Sequence, residues 1–202
     1  MIVVKADKRP PSLTERRREA TRLEIAEAAA ELFSGRGYEA TTVEAVAQAA
    51  GVSLRTFYRY CPAKEDALTP LLVAGVADLV DELAARPEDE PVGAAVAAAF
   101  LATTIDRRRA GAGRTRRLIR VMGTVPAIRM RWLVAGREMR DRLLPVLAAR
   151  TGNAADSLEV RLLATMVIDA VTVALEHWAE QDAGDLAEVT ARALAFLKVD
   201  EI

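Results

Sequence analysis

Seven consecutive residues, Leu54-Arg55-Thr56-Phe57-Tyr58-Arg59-Tyr60, hold the densest set of reactive side chains in this 202-residue chain. Two guanidinium forks, a hydroxyl and two phenols fall within two helical turns, with no carboxylate among them. Arginine can grip guanine O6 and N7 together. Threonine can touch a thymine methyl or a phosphate, and tyrosine hydroxyls reach phosphates. Lys64 follows where the next helix is expected to open, so its ammonium and the free backbone N–H groups of that helix start can both meet a phosphate. Other chemistries lack their residues. A single histidine (His177) argues against a serine–histidine set and removes histidine-rich metal sites, though carboxylates could still serve as acid or base. A single cysteine (Cys61) leaves no disulfide framework and no cysteine-based metal site. Gly111-Ala112-Gly113-Arg114 lacks the Gly-Lys-Ser/Thr ending of a phosphate loop. There is no His-Glu-x-x-His and no Gly-x-Ser-x-Gly. We therefore expect no enzyme, no cofactor and no metal.

These side chains need a scaffold that presents them together, and the flanking residues supply one. Thr42 stands before Val43-Glu44 and can cap a short helix that ends before Gly51. Ser53 can cap a second, over Leu54 to Tyr60, which Pro62 terminates. Between them Ala50-Gly51-Val52 suits a tight turn in which glycine takes the left-handed backbone. Ala47, Val52 and Phe57 can pack the two helices together. The pair reads as helix–turn–helix, whose second helix enters the DNA major groove by its N-terminal residues. Phe57 then faces inward, leaving Arg55, Thr56, Tyr58, Arg59 and Tyr60 for the groove.

The rest of the chain favours helices. Alanine supplies 40 residues and aromatics only 4%, a composition suited to helices and against a β-sandwich or barrel. Glycine and proline punctuate about nine helices: one from near Thr14 to Gly35/Gly37, the pair just described, one from Lys64 to Arg86, and five at about 92–109, 114–123, 126–150, 154–182 and 185–198. The expected class is all-α, with a three-helix head over 12–62, a larger helical body over 63–202, and a basic arm over 1–11 that ends at Pro10-Pro11. The longest apolar run, about 92–105, is too short to span a bilayer, and charges follow Met1–Val4 at once. We expect a cytoplasmic protein with no membrane partner. The net charge of −1 conceals alternation. Residues 1–64 carry +3, 65–106 carry −8, 107–142 carry +10 and 143–202 carry −6. A basic start on a nearly neutral chain suits an anionic partner.

The stretch Ile25…Ala29…Phe33…Gly37-Tyr38…Thr41-Thr42-Val43…Val46-Ala47…Ala50-Gly51-Val52-Ser53…Thr56-Phe57-Tyr58-Arg59-Tyr60…Lys64-Glu65…Leu68 resembles the tetracycline-repressor (TetR) family of transcription regulators. The resemblance implies a DNA-binding head, a helical body and a homodimer. It also implies DNA contacts from Thr42, Arg55, Thr56, Tyr58, Tyr60 and Lys64, to which the residue reading adds Ser53 and Arg59. Two positions depart from the family pattern. Cys61 replaces a common aromatic, and Ala63 replaces a common capping residue. Further on, Arg117-Leu118-Ile119-Arg120…Pro126-Ala127…Arg131-Trp132 and the helix ending near His177-Trp178 resemble the mycofactocin-regulator subgroup, which implies effectors like acyl-coenzyme A.

The body offers weaker signals, each with a bland alternative. Phe100, Thr103, Thr104, Arg117, Met122, Trp132, Met166, Asp169 and His177 are candidates to line an effector pocket, although apolar residues at helical spacing more often form core. Asp169, within an apolar run, is either a pocket polar group or the partner of an arginine. The block Arg107 to Arg120 is either a solvated face or a guanidinium rim for an anionic amphiphile. Cys61 is either a redox switch or a small buried apolar group. Leu158, Leu162, Val171, Leu175, Trp178, Leu186, Val189 and Leu194 give the last two helices more apolar surface than one core needs, as in a four-helix interface between two copies. The function expected is a repressor released from a palindromic operator on double-stranded DNA by a small-molecule effector. The alternative is a DNA-binding regulator answering a protein partner, or having no effector.

Overall fold

A computed structural model describes residues 12–109, 112–181 and 183–196, with all their side chains except those of 73–77, 104–109 and 112. The expected arm over 1–11 and the side chains of Thr104 and Arg107–Arg109 lie outside the described residues. Among the described residues there are nine α-helices, a short 3-10 helix and no strand. In chain order they are α1 (Leu13–Arg36), α2 (Val43–Ala49), α3 (Leu54–Tyr60), the 3-10 helix (Lys64–Leu68), α4 (Thr69–Ala85), α5 (Val92–Arg109), α6 (Ala112–Thr124), α7 (Pro126–Thr151), α8 (Leu158–Glu180) and α9 (Leu186–Phe196). The all-α class is as expected. No helix among the described residues is long and apolar enough to cross a membrane.

Local chemistry sets most of the ends. The cap of α1 is Ser12, two residues before the expected start near Thr14. The Ser12 hydroxyl accepts from the Glu15 N–H at 3.2 Å, and the Glu15 carboxylate accepts from the Ser12 N–H at 2.7 Å. Thr14 cannot close such a box because Arg17, three residues on, has no acceptor. The helix expected from Lys64 to about Arg86, with Pro70 as the place for a bend, is instead two elements. Pro70 lacks the N–H needed inside a helix, so α4 starts afresh with that proline in its first turn. Ala63 offers no side-chain cap, and Asp66 partly replaces one, its carboxylate accepting from the Ala63 N–H at 3.1 Å.

Two buried clusters organise the molecule. The head cluster gathers Ile25, Ala29, Phe33, Val46, Ala47, Phe57 and Cys61, and also takes in Ala67, Leu68, Met122 and Ile128 from beyond residue 62. The body cluster joins Leu79, Leu83, Phe100, Ile119, Leu143, Leu147, Val167, Trp178 and Leu194. Trp132 packs against both. Continuous packing of this kind leaves the head little freedom to tilt alone.

Helix α6 fastens head to body with arginines. Arg114 pairs with Glu31 of α1 at 2.9 Å, and Arg117 Nε donates to the Ser34 carbonyl at 3.0 Å. Around the helix, the Arg116 guanidinium lies 4.3 Å from the Trp178 ring centroid and donates to the Gly184 carbonyl at 2.9 Å. Arg120 Nε donates to the Ala179 carbonyl. Cations at carbonyls that a helix end leaves unpaired are favourably placed. From α7, Arg131 adds a 2.6 Å pair to Asp66.

The four-helix interface expectation needs correction at half its residues. Val171, Trp178, Leu186 and Leu194 are buried within the protomer, so they form its own core. Leu175 and Val189 are half-buried. Leu158 and Leu162 are exposed, at 67% and 51%, together with Val173 and Phe196.

Candidate nucleic-acid interface

Helix α3 is built as the sequence suggested. The Ser53 hydroxyl accepts from the Thr56 N–H at 3.2 Å and donates to Thr56 Oγ1 at 3.0 Å. The Thr42 hydroxyl caps α2 in the same way, accepting from the Ala45 N–H at 3.2 Å. In the turn Gly51 has φ of 67°, the left-handed region where a side chain is strained, and the Val52 N–H donates to the Ala47 carbonyl at 2.9 Å. Phe57 is fully buried and pins the helix to the head cluster.

The opposite face is open. Arg55, Tyr58 and Arg59 are exposed, while Thr56 and Tyr60 are half-buried. Arg59 donates to the Tyr60 hydroxyl at 3.3 Å and lies 4.8 Å from that ring centroid, so the two act as one unit. Thr42 and Ser53 are exposed at the N-termini of α2 and α3, where N–H groups favour anions. No carboxylate lies on α3 to oppose a phosphate.

Lys64 has a partner set that the sequence did not reveal. Its ammonium donates to the carbonyls of Tyr38 and Thr41 at 2.8 and 2.9 Å and sits 3.9 Å from the Tyr38 ring centroid. It thus closes the α1–α2 connection, and only one of its three N–H groups remains for a phosphate. The Tyr38 hydroxyl donates to Glu65 at 3.2 Å. Burial, then the Glu65 charge, push that hydroxyl up to about 12. Cys61 is buried at the end of α3, and burial pushes its thiol up to about 11. A thiolate is therefore scarce near neutrality, and Cys61 fits the small buried apolar group rather than the redox switch.

Of the nine pocket candidates, the eight whose side chains are described are spread over both clusters and the surface. Phe100 is buried in the body cluster, and Met122 lies in the head cluster. The Thr103 hydroxyl is turned to the Phe100 carbonyl at 2.9 Å. Trp132 and Met166 are half-buried. Asp169 and His177 are exposed, so Asp169 is not held within the core as its apolar neighbours in sequence suggested. Arg117 is exposed and contributes, with Gly113, Arg116, Arg120 and Gln181, to a shallow surface depression of about 250 Å³. Sequence reasoning missed the head–body contacts, because their partners lie too far apart along the chain to show a local pattern.

Comparison with known proteins places this geometry. Residues 25–68 match the family of bacterial regulatory proteins of the tetR type, and residues 90–200 match the MftR C-terminal domain. The HTH-type transcriptional regulator TcmR of Streptomyces glaucescens is 36% identical over 149 residues, 70% of this chain and 65% of TcmR. MftR of Mycobacterium tuberculosis, whose name assigns it to the regulation of mycofactocin biosynthesis, is 28% identical over 88% of this chain and 89% of its own. The Thermus thermophilus repressor FadR, solved with lauroyl-CoA, superposes with a TM-score of 0.59 at 25% identity, covering 87% of this chain and 92% of that one. The chain belongs to the TetR family and is a DNA-binding transcriptional regulator.

Proposed function

We propose that the protein is a repressor that binds a palindromic operator as a homodimer and leaves it when the body takes up a small anionic amphiphile such as an acyl-CoA. The exposed α3 face is the observation that carries the DNA half of this reading. Arg55 and Arg59 project from a rigidly capped helix that bears no acidic residue. Dimerisation draws support from α8, where Leu158, Leu162 and Val173 are exposed at spacings of one helix face, and from Phe196 on α9. A twofold pair would set two α3 helices about 34–36 Å apart, one DNA turn. The effector class draws support from the lauroyl-CoA complex of Thermus thermophilus FadR and from the arginine-lined depression beside α6.

One observation favours the second reading, a regulator without a small-molecule effector. Two of the apolar pocket candidates are taken up by packing, Phe100 in one cluster and Met122 in the other. Operator selection from random duplex DNA at fixed salt, repeated with lauroyl-CoA added, separates the two. A palindrome lost on adding lauroyl-CoA supports the effector reading. A palindrome that persists contradicts acyl-CoA release and favours the second.

A further inference from the structure

Leu54 is the first residue of α3, and its side chain is 41% exposed although the neighbouring Phe57 is fully buried. Four residues on, Tyr58 is 52% exposed. Residues four apart share a helix face, so Leu54 and Tyr58 form an apolar strip along one flank of α3. Arg55 and Arg59, again four apart, form a basic strip beside it. The recognition face is therefore divided lengthwise into two chemistries, and Leu54 stands at the N-terminal end that enters the groove deepest.

A leucine has no donor or acceptor for a base edge. The major groove offers one apolar feature, the C5 methyl of thymine. Against cytosine or guanine the same side chain would strip water from polar edge atoms and return no hydrogen bond, which is unfavourable. Thymine is the base whose contact with Leu54 gains apolar burial at no such cost.

We propose that Leu54 is a specificity-determining residue that reads a thymine methyl in each operator half-site, beside the base read by Arg55. The proposal rests on α3 being the DNA-reading helix. Its signature is a thymine whose methyl, and not its hydrogen-bonding edge, is recognised. Replacing that thymine with deoxyuridine removes only the methyl. On the transfer value for one buried carbon, the loss is about fourfold in affinity per half-site.

The test uses the full-length protein and the duplex it selects from random DNA at fixed salt. Each thymine is replaced in turn by deoxyuridine, for the wild type and for Leu54→Ala. Alanine keeps the helix, and Leu54 lies outside both buried clusters, so the variant folds. The expected result is one symmetry-related thymine pair at which the wild type loses about fourfold per half-site and Leu54→Ala loses nothing, with binding to unselected DNA the same for both. The inference is overturned if no thymine is sensitive to loss of its methyl. It is equally overturned if the sensitivity survives in Leu54→Ala, which would pass the role to another side chain. Failure to select any sequence would refute the reading of α3 itself, and this inference with it.

Discussion

Replacing Lys64 with methionine should destabilise the protein in the absence of DNA. Methionine keeps the unbranched apolar stem and deletes the ammonium. Two charged hydrogen bonds are lost, to the carbonyls of Tyr38 and Thr41, with a cation–ring contact at 3.9 Å. Hydrogen bonds to charged groups contribute about 1.5–3 kcal/mol each, and an exposed cation–π contact about 0.5–1 kcal/mol. Lys64 is half-buried, and water can partly rehydrate the two carbonyls. The low ends of these ranges total about 3.5 kcal/mol, and rehydration of the carbonyls offsets part of that, so the net loss is about 2–3 kcal/mol. For a chain of this size that lowers the melting temperature by about 4–12 °C. Scanning calorimetry at one fixed protein concentration reads it, since association would otherwise move the midpoint. A lysine serving only as a phosphate contact predicts no change without DNA. A Lys64→Met protein that melts with the wild type would refute the closing role assigned here.

Other predictions concern separate parts of the molecule. Arg55→Ala should cost about 1–3 kcal/mol of operator affinity and relax preference at one base position, read by competition between selected and randomised duplexes. Tyr38 ionises near 10 when unfolded but at about 12 in the fold, so the folded state holds its proton over that interval. Stability should therefore fall as pH rises from about 10 to 12, and Tyr38→Phe should flatten that part of a denaturation-against-pH curve. Leu158→Glu with Leu162→Glu changes only exposed side chains, and sedimentation should show a folded monomer. Val171→Glu buries an unpaired charge and should lose the folded signal in circular dichroism.

What could be read from the sequence was governed by distance along the chain. The caps Thr42 and Ser53, the Gly51 turn and inward-facing Phe57 all depend on residues within a few positions, and all appear as expected. Ser12 was equally readable, since Glu15 three residues later marks a capping box. Lys64 was not, because its acceptors lie 26 and 23 residues earlier. The α6 arginines reach still further, to Ser34 on one side and to Ala179 and Gly184 on the other. Helix α8 posed a different difficulty. It is apolar on more than one side, so its sequence could not tell the side bearing Val171 and Trp178, which the protomer uses, from the side bearing Leu158 and Leu162, which it leaves exposed. The same ambiguity explains why Asp169, set among apolar neighbours in sequence, lies on the surface.

The central claim is that α3 reads DNA from a twofold pair of chains. Titrating the full-length protein against its selected palindrome and against an isolated half-site, at one salt concentration, tests it most directly. Two protomers per palindrome and much weaker binding to the half-site are expected. Equal affinity for the half-site with one protomer bound would contradict it.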